Sequence, residues 1–154
     1  MRKTSPLKSL QRIHTAMLAG MVVFAVVSAV VHLRGQLASN TNLNKILQVS
    51  VLAISFILIK TGLNLFKRKL QSIDANATPL QKINAYKTAA IIKWVKMEVP
   101  VLLSVISFMF TRNYAFMVLA FVLMVLFAMQ GPLRQNVQLQ LHFSAQEMEQ
   151  LEQG

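Results

Sequence analysis

Glu98 is the one acidic residue inside or beside a long apolar stretch, which makes it the first candidate for chemistry. A carboxylate in hydrocarbon is costly unless it is neutral, paired with a cation or facing water. Ionisable residues in such positions often handle protons or ions. Glu98 is therefore the leading candidate for a functional residue.

Lys60 is the predicted partner of Glu98. Lys60 lies fifteen residues after Lys45, and Lys45 directly precedes the apolar stretch that contains Lys60. Glu98 lies fourteen residues before Arg112, which follows the end of the next stretch. At the helical rise these spacings are ~22 Å and ~21 Å. Because the two helices should run in opposite directions, the residues share a depth, and we predict that they form an intramembrane polar pair.

Three interpretations of this pair remain open. The pair could serve solely to orient two helices, which is the interpretation we favour. It could instead handle protons or ions. Alternatively, the two side chains could extend separately to the lipid headgroups. Lys93 and Lys96 compete as partners of Glu98, although neither spacing places them well on its face. Asn64, one turn beyond Lys60, could extend a polar strip or form a single interhelical hydrogen bond.

Other catalytic chemistries lack the residues they need. The chain has no cysteine, which excludes disulfides, thiol nucleophiles and thiolate metal sites. It shows no nucleophile elbow, phosphate-binding glycine loop or paired carboxylates. His14 and His32 lie at opposite ends of one apolar stretch, which favours interfacial histidines over a metal site. We therefore expect no metal, no cofactor and no enzymatic activity.

The apolar residues that surround these candidates indicate a membrane protein. Of 154 residues, 55% are hydrophobic and 14% are charged, against about 25% charged in ordinary soluble domains. The apolar residues concentrate in four stretches, 13–33, 46–66, 89–110 and 114–130. Each can cross or nearly cross a hydrocarbon core of ~30 Å, and the fourth is the shortest. The predicted fold is a single all-α domain, an antiparallel bundle of four transmembrane helices.

The distribution of Lys and Arg predicts the orientation of these helices. When the connection between the second and third stretches is counted from Lys60 to Lys96, thirteen of the 16 Lys and Arg fall at the N-terminus, in that connection or in the tail 131–154. Such a bias places both termini in the cytoplasm of a bacterial inner membrane, with the basic loop against anionic lipid. Trp94 and Tyr86 suit aromatic belts, Trp94 at the inner interface, and Tyr114 suits the outer one.

Two alternatives to this interpretation follow from the basic residues. A net charge of +11 could indicate nucleic-acid binding, but no soluble module remains once the apolar stretches are set aside. The first stretch could also be a secretory signal. Its length and the lack of a small-x-small cleavage site favour an uncleaved helix.

Local signals place the ends of several helices. Thr78-Pro79-Leu80-Gln81 reads as a capped start, so the third helix should extend well before its apolar stretch. Pro100 should bend that helix. The short link 111–113 predicts a tight hairpin, and Gly131-Pro132 should end the fourth helix. A capping pattern at Ser144 predicts a short helix to about Glu152.

The second half of the chain carries a series of motifs. These are Tyr86-Lys87-Thr88-Ala89, then Ile91-Ile92-Lys93-Trp94 leading to Glu98-Val99-Pro100, then Phe108 to Asn113. In these motifs the chain resembles small four-span membrane proteins of Bacteroidota that have no established activity. It departs from them at Val99, where a glycine is usual. The resemblance implies a membrane protein without indicating what it does.

These observations lead to two functional hypotheses. The first is a non-enzymatic accessory or scaffold subunit, whose partner is another membrane protein or a second copy of the chain. The second is a small transporter or proton-coupled module that uses Glu98 and Lys60. A transporter needs a hydrated path to Glu98, whereas an accessory subunit should be closed and dry.

Overall fold

The chain folds into α-helices joined by short connections. The computed structural model describes residues 5–33, 41–74, 77–141 and 143. In those ranges it contains five helices and no strand, which confirms the all-α prediction. The helices are α1 (Pro6–Leu33), α2 (Thr41–Gln71), α3 (Pro79–Thr111), α4 (Tyr114–Met129) and α5 (Arg134–Leu141).

Two of the four predicted spans, α1 and α2, are long and apolar enough to cross a membrane. The most apolar 18 residues within Pro6–Val31 and within Asn44–Gln71 have mean hydropathies of 2.1 and 2.0. Only 22% and 17% of their most apolar stretches are buried, whereas the core helix of a soluble protein would be mostly buried. α4 has 16 residues, or ~24 Å of helix, against ~30 Å for a full crossing.

The start of α3 forms as the sequence predicts. The Thr78 hydroxyl accepts a hydrogen bond from the Gln81 backbone N–H at 3.4 Å, and the Gln81 side chain accepts one from the Thr78 N–H at 3.1 Å. This reciprocal capping box satisfies two donors that have no partner within the helix. α3 then continues for 33 residues with Pro100 inside it, a length of ~50 Å. The predicted extension of the third helix is confirmed.

A two-residue link connects α3 to α4. Arg112 adopts a left-handed conformation, with φ 56°, and its N–H donates to the Phe108 carbonyl at 2.8 Å. Asn113 then caps α4 by accepting a hydrogen bond from the Ala115 N–H at 3.0 Å. Both helix ends are therefore closed locally, and the predicted tight hairpin is confirmed.

α4 ends where the Gly131-Pro132 pair predicts, but for a different reason. No glycine in the described ranges has a positive φ, so Gly131 does not supply a left-handed cap. A Cβ at Gly131 would instead lie 3.3 Å from Cε1 of His14, so close packing explains the glycine. The sequence interpretation missed α5, and the helix predicted for 144–152 lies outside the described residues.

α3 is the central helix of the fold. It packs against α1, α2 and α4, and α1 also packs against α4, whereas α2 packs chiefly against α3. A regular four-helix bundle would give every helix two neighbours of similar weight. The arrangement is instead a core of α1, α3 and α4 with α2 added on one side.

α2 approaches α3 most closely at Gly62. The buried positions of α2 form one helical stripe, Val51, Ser55, Gly62 and Phe66. A Cβ added at Gly62 would lie 3.1 Å from Cβ of Lys96 and 3.6 Å from the Lys93 carbonyl. The missing side chain therefore lets the two backbones meet, as small residues do between membrane helices.

Gly62→Leu should lower the free energy of unfolding in detergent by about 1–3 kcal/mol, because the new side chain pushes α2 away from α3. Gly20→Leu is the matched control, since no atom lies within 4 Å of its Cβ position. It should be neutral or gain up to about 1 kcal/mol from helix propensity. Equal losses in thermal unfolding of the two variants would contradict the close approach at Gly62.

Candidate functional site

The structure does not bring Lys60 and Glu98 together. Lys60 is exposed, and its ammonium lies 5.9 Å from the ring centre of Phe56 on its own helix. Glu98 is half-buried on α3. No salt bridge joins these two residues, both of which belong to the described ranges, so the predicted ion pair is not formed.

The depth argument for this pair was sound, but the choice of helix face was not. Gly62 packs against Lys93 and Lys96, which places Lys60 about level with 95–98 on the antiparallel helix. Gly62 marks the side of α2 that faces α3. Lys60 is two residues away, about 200° around the helix, and therefore points away from α3.

The other residues proposed from the sequence also differ in whether they are exposed or buried. Asn64 is exposed, since it also lies two residues from Gly62. Lys96 is half-buried, and its aliphatic stem lies along the Gly62 position. Lys93 is the exception, because it is buried. The side chain of His32 lies outside the described part of the structure.

Buried polar groups meet instead at the C-terminal end of α4. We call this cluster the α4 junction, and it consists of His14, Lys93, Trp94, Phe127 and Gln130. α1 supplies the histidine and α3 supplies the lysine and the tryptophan, while the last two residues belong to the end of α4.

Gln130 receives two of the hydrogen bonds in the junction. The Trp94 indole Nε1–H donates to the Gln130 backbone carbonyl at 3.1 Å, and the ring is 0% exposed. The Lys93 ammonium donates to the Gln130 side-chain oxygen Oε1, also at 3.1 Å. Lys93 is only 6% exposed. Two consecutive residues of α3 thus hold both the backbone and the side chain of one α4 residue.

His14 holds the preceding turn of α4. Its Nε2 lies 3.1 Å from the Phe127 carbonyl oxygen, so we assign the proton to Nε2, because a carbonyl can only accept. The imidazole stacks on the Phe127 ring with centres 4.6 Å apart and planes 3° apart. It also contacts the Trp94 ring at 4.9 Å. His14 is therefore a buried packing and capping residue.

The α4 junction has a clear physical role. The last carbonyls of a helix have no partner within it, and leaving them buried without donors is costly. The same end carries the negative pole of the helix dipole, which favours a cation such as Lys93. The Lys93 ammonium also lies 4.4 Å from the ring centre of Phe66 on α2, a cation–π distance. All four long helices therefore meet here.

The sequence interpretation of the aromatic residues and of His14 was partly wrong. Trp94, Tyr86 and His14 were expected at an interface, but all three are buried. One signal could have indicated this outcome, since Tyr86, Ala90, Lys93 and Met97 recur at helical spacing. Because Lys93 belongs to this stripe, its burial could have been predicted. The sequence analysis instead considered Lys93 only as a competing partner of Glu98.

The polar groups of the junction contact one another through the hydrogen bonds described above. Within the described residues no carboxylate touches these groups. Those residues also contain no group of three or more His, Cys, Asp or Glu that could hold a metal ion. No family model, curated protein or solved structure matches the chain.

Lys60 and Glu98 should behave as independent residues in a double-mutant cycle. Lys60→Ala and Glu98→Ala should change the free energy of unfolding additively, within about 0.5 kcal/mol, because no contact couples them. The measurement is denaturant or thermal unfolding of both single variants and the double variant in one detergent. A coupling energy above about 1 kcal/mol would show that the two side chains interact and would contradict their independence.

Proposed function

We propose that this chain is an integral membrane protein in which α1–α4 cross or enter the bilayer, and that it serves as a non-enzymatic accessory or scaffold subunit. The single observation that carries the proposal is the apolar surface of the three outer helices. That surface is too extensive to face water, and it surrounds the α4 junction.

Large hydrophobic side chains cover the outer faces of α1, α2 and α4. Representative members are Val23, Phe56 and Phe121, which are 60%, 69% and 64% exposed. Soluble monomers rarely expose contiguous apolar patches beyond a few hundred Å². A surface of this kind suits lipid chains or the helices of another membrane protein.

The hydrogen bonds made by backbone groups at the helix ends also support insertion into a bilayer. Inside hydrocarbon every N–H and C=O needs a partner within the protein. The α3–α4 link meets this requirement through the local caps at Arg112 and Asn113. The end of α4 meets it through the side chains of His14 and Trp94. A short α4 with a satisfied end can stop near the headgroups without exposing bare carbonyls to lipid.

The end of the molecule opposite the α3–α4 link fits the cytoplasmic side of the membrane. Exposed cations cluster there on α1 and at the end of α2, as the positive-inside rule requires: Lys8, Arg12, Lys67, Arg68 and Lys69. The early turns of α3 are packed rather than free, since Tyr86 is buried and its ring lies nearly perpendicular to that of Phe66, with ring centres 5.6 Å apart. Burial raises the pKa of Tyr86 to about 12.

The accessory role is supported by a lateral groove between α1 and α4. It has a volume of about 410 Å³ and an almost entirely apolar lining that includes Val26, Ala29, Phe121 and Val125. The small residues on α1 would let a partner helix approach closely. The transporter alternative loses the support of an intramembrane ion pair, because Lys60 is exposed and points away from α3, the helix that carries Glu98.

Cysteine labelling should establish the proposed topology, because the chain has no cysteine of its own. In intact spheroplasts a membrane-impermeant maleimide should label Tyr114→Cys at the outer end of α4. Gln71→Cys should react only after permeabilisation, and Phe121→Cys, facing lipid, should react poorly in both states. Labelling of Gln71→Cys in intact cells would contradict the orientation.

Photo-crosslinking should test the accessory role. A photoreactive amino acid at Val26, in the groove, should give one discrete adduct with another membrane protein or a second copy of the chain. The same amino acid at Phe56, on the opposite side of the fold, is the matched control and should react mainly with lipid. Lipid adducts alone at both positions would contradict a scaffold that uses this groove.

A further inference from the structure

A cleft opens beside the α4 junction on the side that faces α2 and α5. Its volume is about 480 Å³, within the ~300–1,000 Å³ typical of small-molecule sites. α2 contributes Phe66 and Lys67, α5 contributes Leu139 and Gln140, and the inner wall is formed by Lys93 and Gln130. The cleft therefore joins a cationic, amide-lined wall to apolar surface.

Lys93 leaves charge unbalanced in this cleft. An ammonium has three N–H donors, and the described contacts are one hydrogen bond to Gln130 and one aromatic face, that of Phe66. Within the described ranges no carboxylate pairs with it. A buried cation without a counter-ion is costly. An anionic group bound in the cleft would offset that cost, and Lys67 at the same cleft adds a second cation.

We propose that this cleft binds the phosphate of an anionic phospholipid headgroup. The phosphate would accept hydrogen bonds from Lys93 and Lys67, and the glycerol and upper chain would lie against Phe66 and Leu139. The cleft lies at the inner end of α2, where the proposed orientation puts the anionic leaflet surface. The assignment thus rests on the membrane topology of the proposed function, and it specifies a discrete site rather than diffuse attraction to the basic loop.

Native mass spectrometry of the detergent-purified full chain tests the site. Phosphatidylglycerol and phosphatidylcholine with identical acyl chains are offered at equal concentration. The wild type should bind phosphatidylglycerol roughly tenfold more tightly, because charge-assisted hydrogen bonds to phosphate are stronger where no headgroup cation competes. Lys93→Met, which keeps length and apolar bulk, should lose that preference. Lys60→Met removes one exposed lysine outside the cleft and should keep it within about twofold.

A second cleft variant tests the site independently in case Lys93→Met does not fold. Leu139 is 72% exposed, so Leu139→Trp should fold and should partly fill the cleft, weakening phosphatidylglycerol binding severalfold. Equal weakening by Lys60→Met, or unchanged binding in both cleft variants, would overturn the site.

Soluble glycerol phosphate serves as the second probe. If it binds as tightly as the lipid, the ligand is a soluble phosphate compound and the lipid assignment is overturned. Failure of the site with a correct cysteine-labelling pattern would remove only this inference, whereas failure of the labelling pattern would remove the topology itself.

Discussion

The C-terminal end of α4 is the constraint on which the rest of this fold depends. A helix of 16 residues ends inside the protein, and its last carbonyls must find donors there. The Gln130 N–H donates to the Phe127 carbonyl within the last turn, and His14 and Trp94 supply further donors from two other helices. Because hydrogen bonds in a low-dielectric interior are stronger and expensive to break, this end of α4 fixes the relative positions of α1, α3 and α4.

α2 is held differently, and that difference leaves a mixed polar and apolar surface beside the junction. It meets α3 through the bare backbone at Gly62 and through Phe66, whose ring faces the Lys93 ammonium. Beyond that point α2 continues to Gln71 with α5 beside it. The space between them is the cleft that Lys93 lines, where we propose that a lipid phosphate binds. The architecture and the proposed binding site therefore share Lys93.

The features that could be predicted from sequence are those set by neighbouring residues. The Thr78 capping box, the length of α3 and the Arg112-Asn113 link each depend on a few consecutive positions. Helix faces could not be predicted in the same way. Lys60 and Glu98 were matched by depth, but depth leaves rotation about the helix axis undetermined. Gly62 settles that rotation, and its significance appears only when α3 is beside it.

The hydrogen bond from the Trp94 indole to the Gln130 carbonyl is the most direct point at which to test this account. Trp94 is the only tryptophan, so biosynthetic replacement by benzothienylalanine exchanges that single indole N–H for sulfur with little change in shape. The account predicts a loss of about 1–3 kcal/mol in the free energy of unfolding, the cost of a buried carbonyl left without its donor. Fluorotryptophan, which keeps the N–H, should have little effect. Unchanged stability with benzothienylalanine would contradict the claim that the end of α4 is held by this junction.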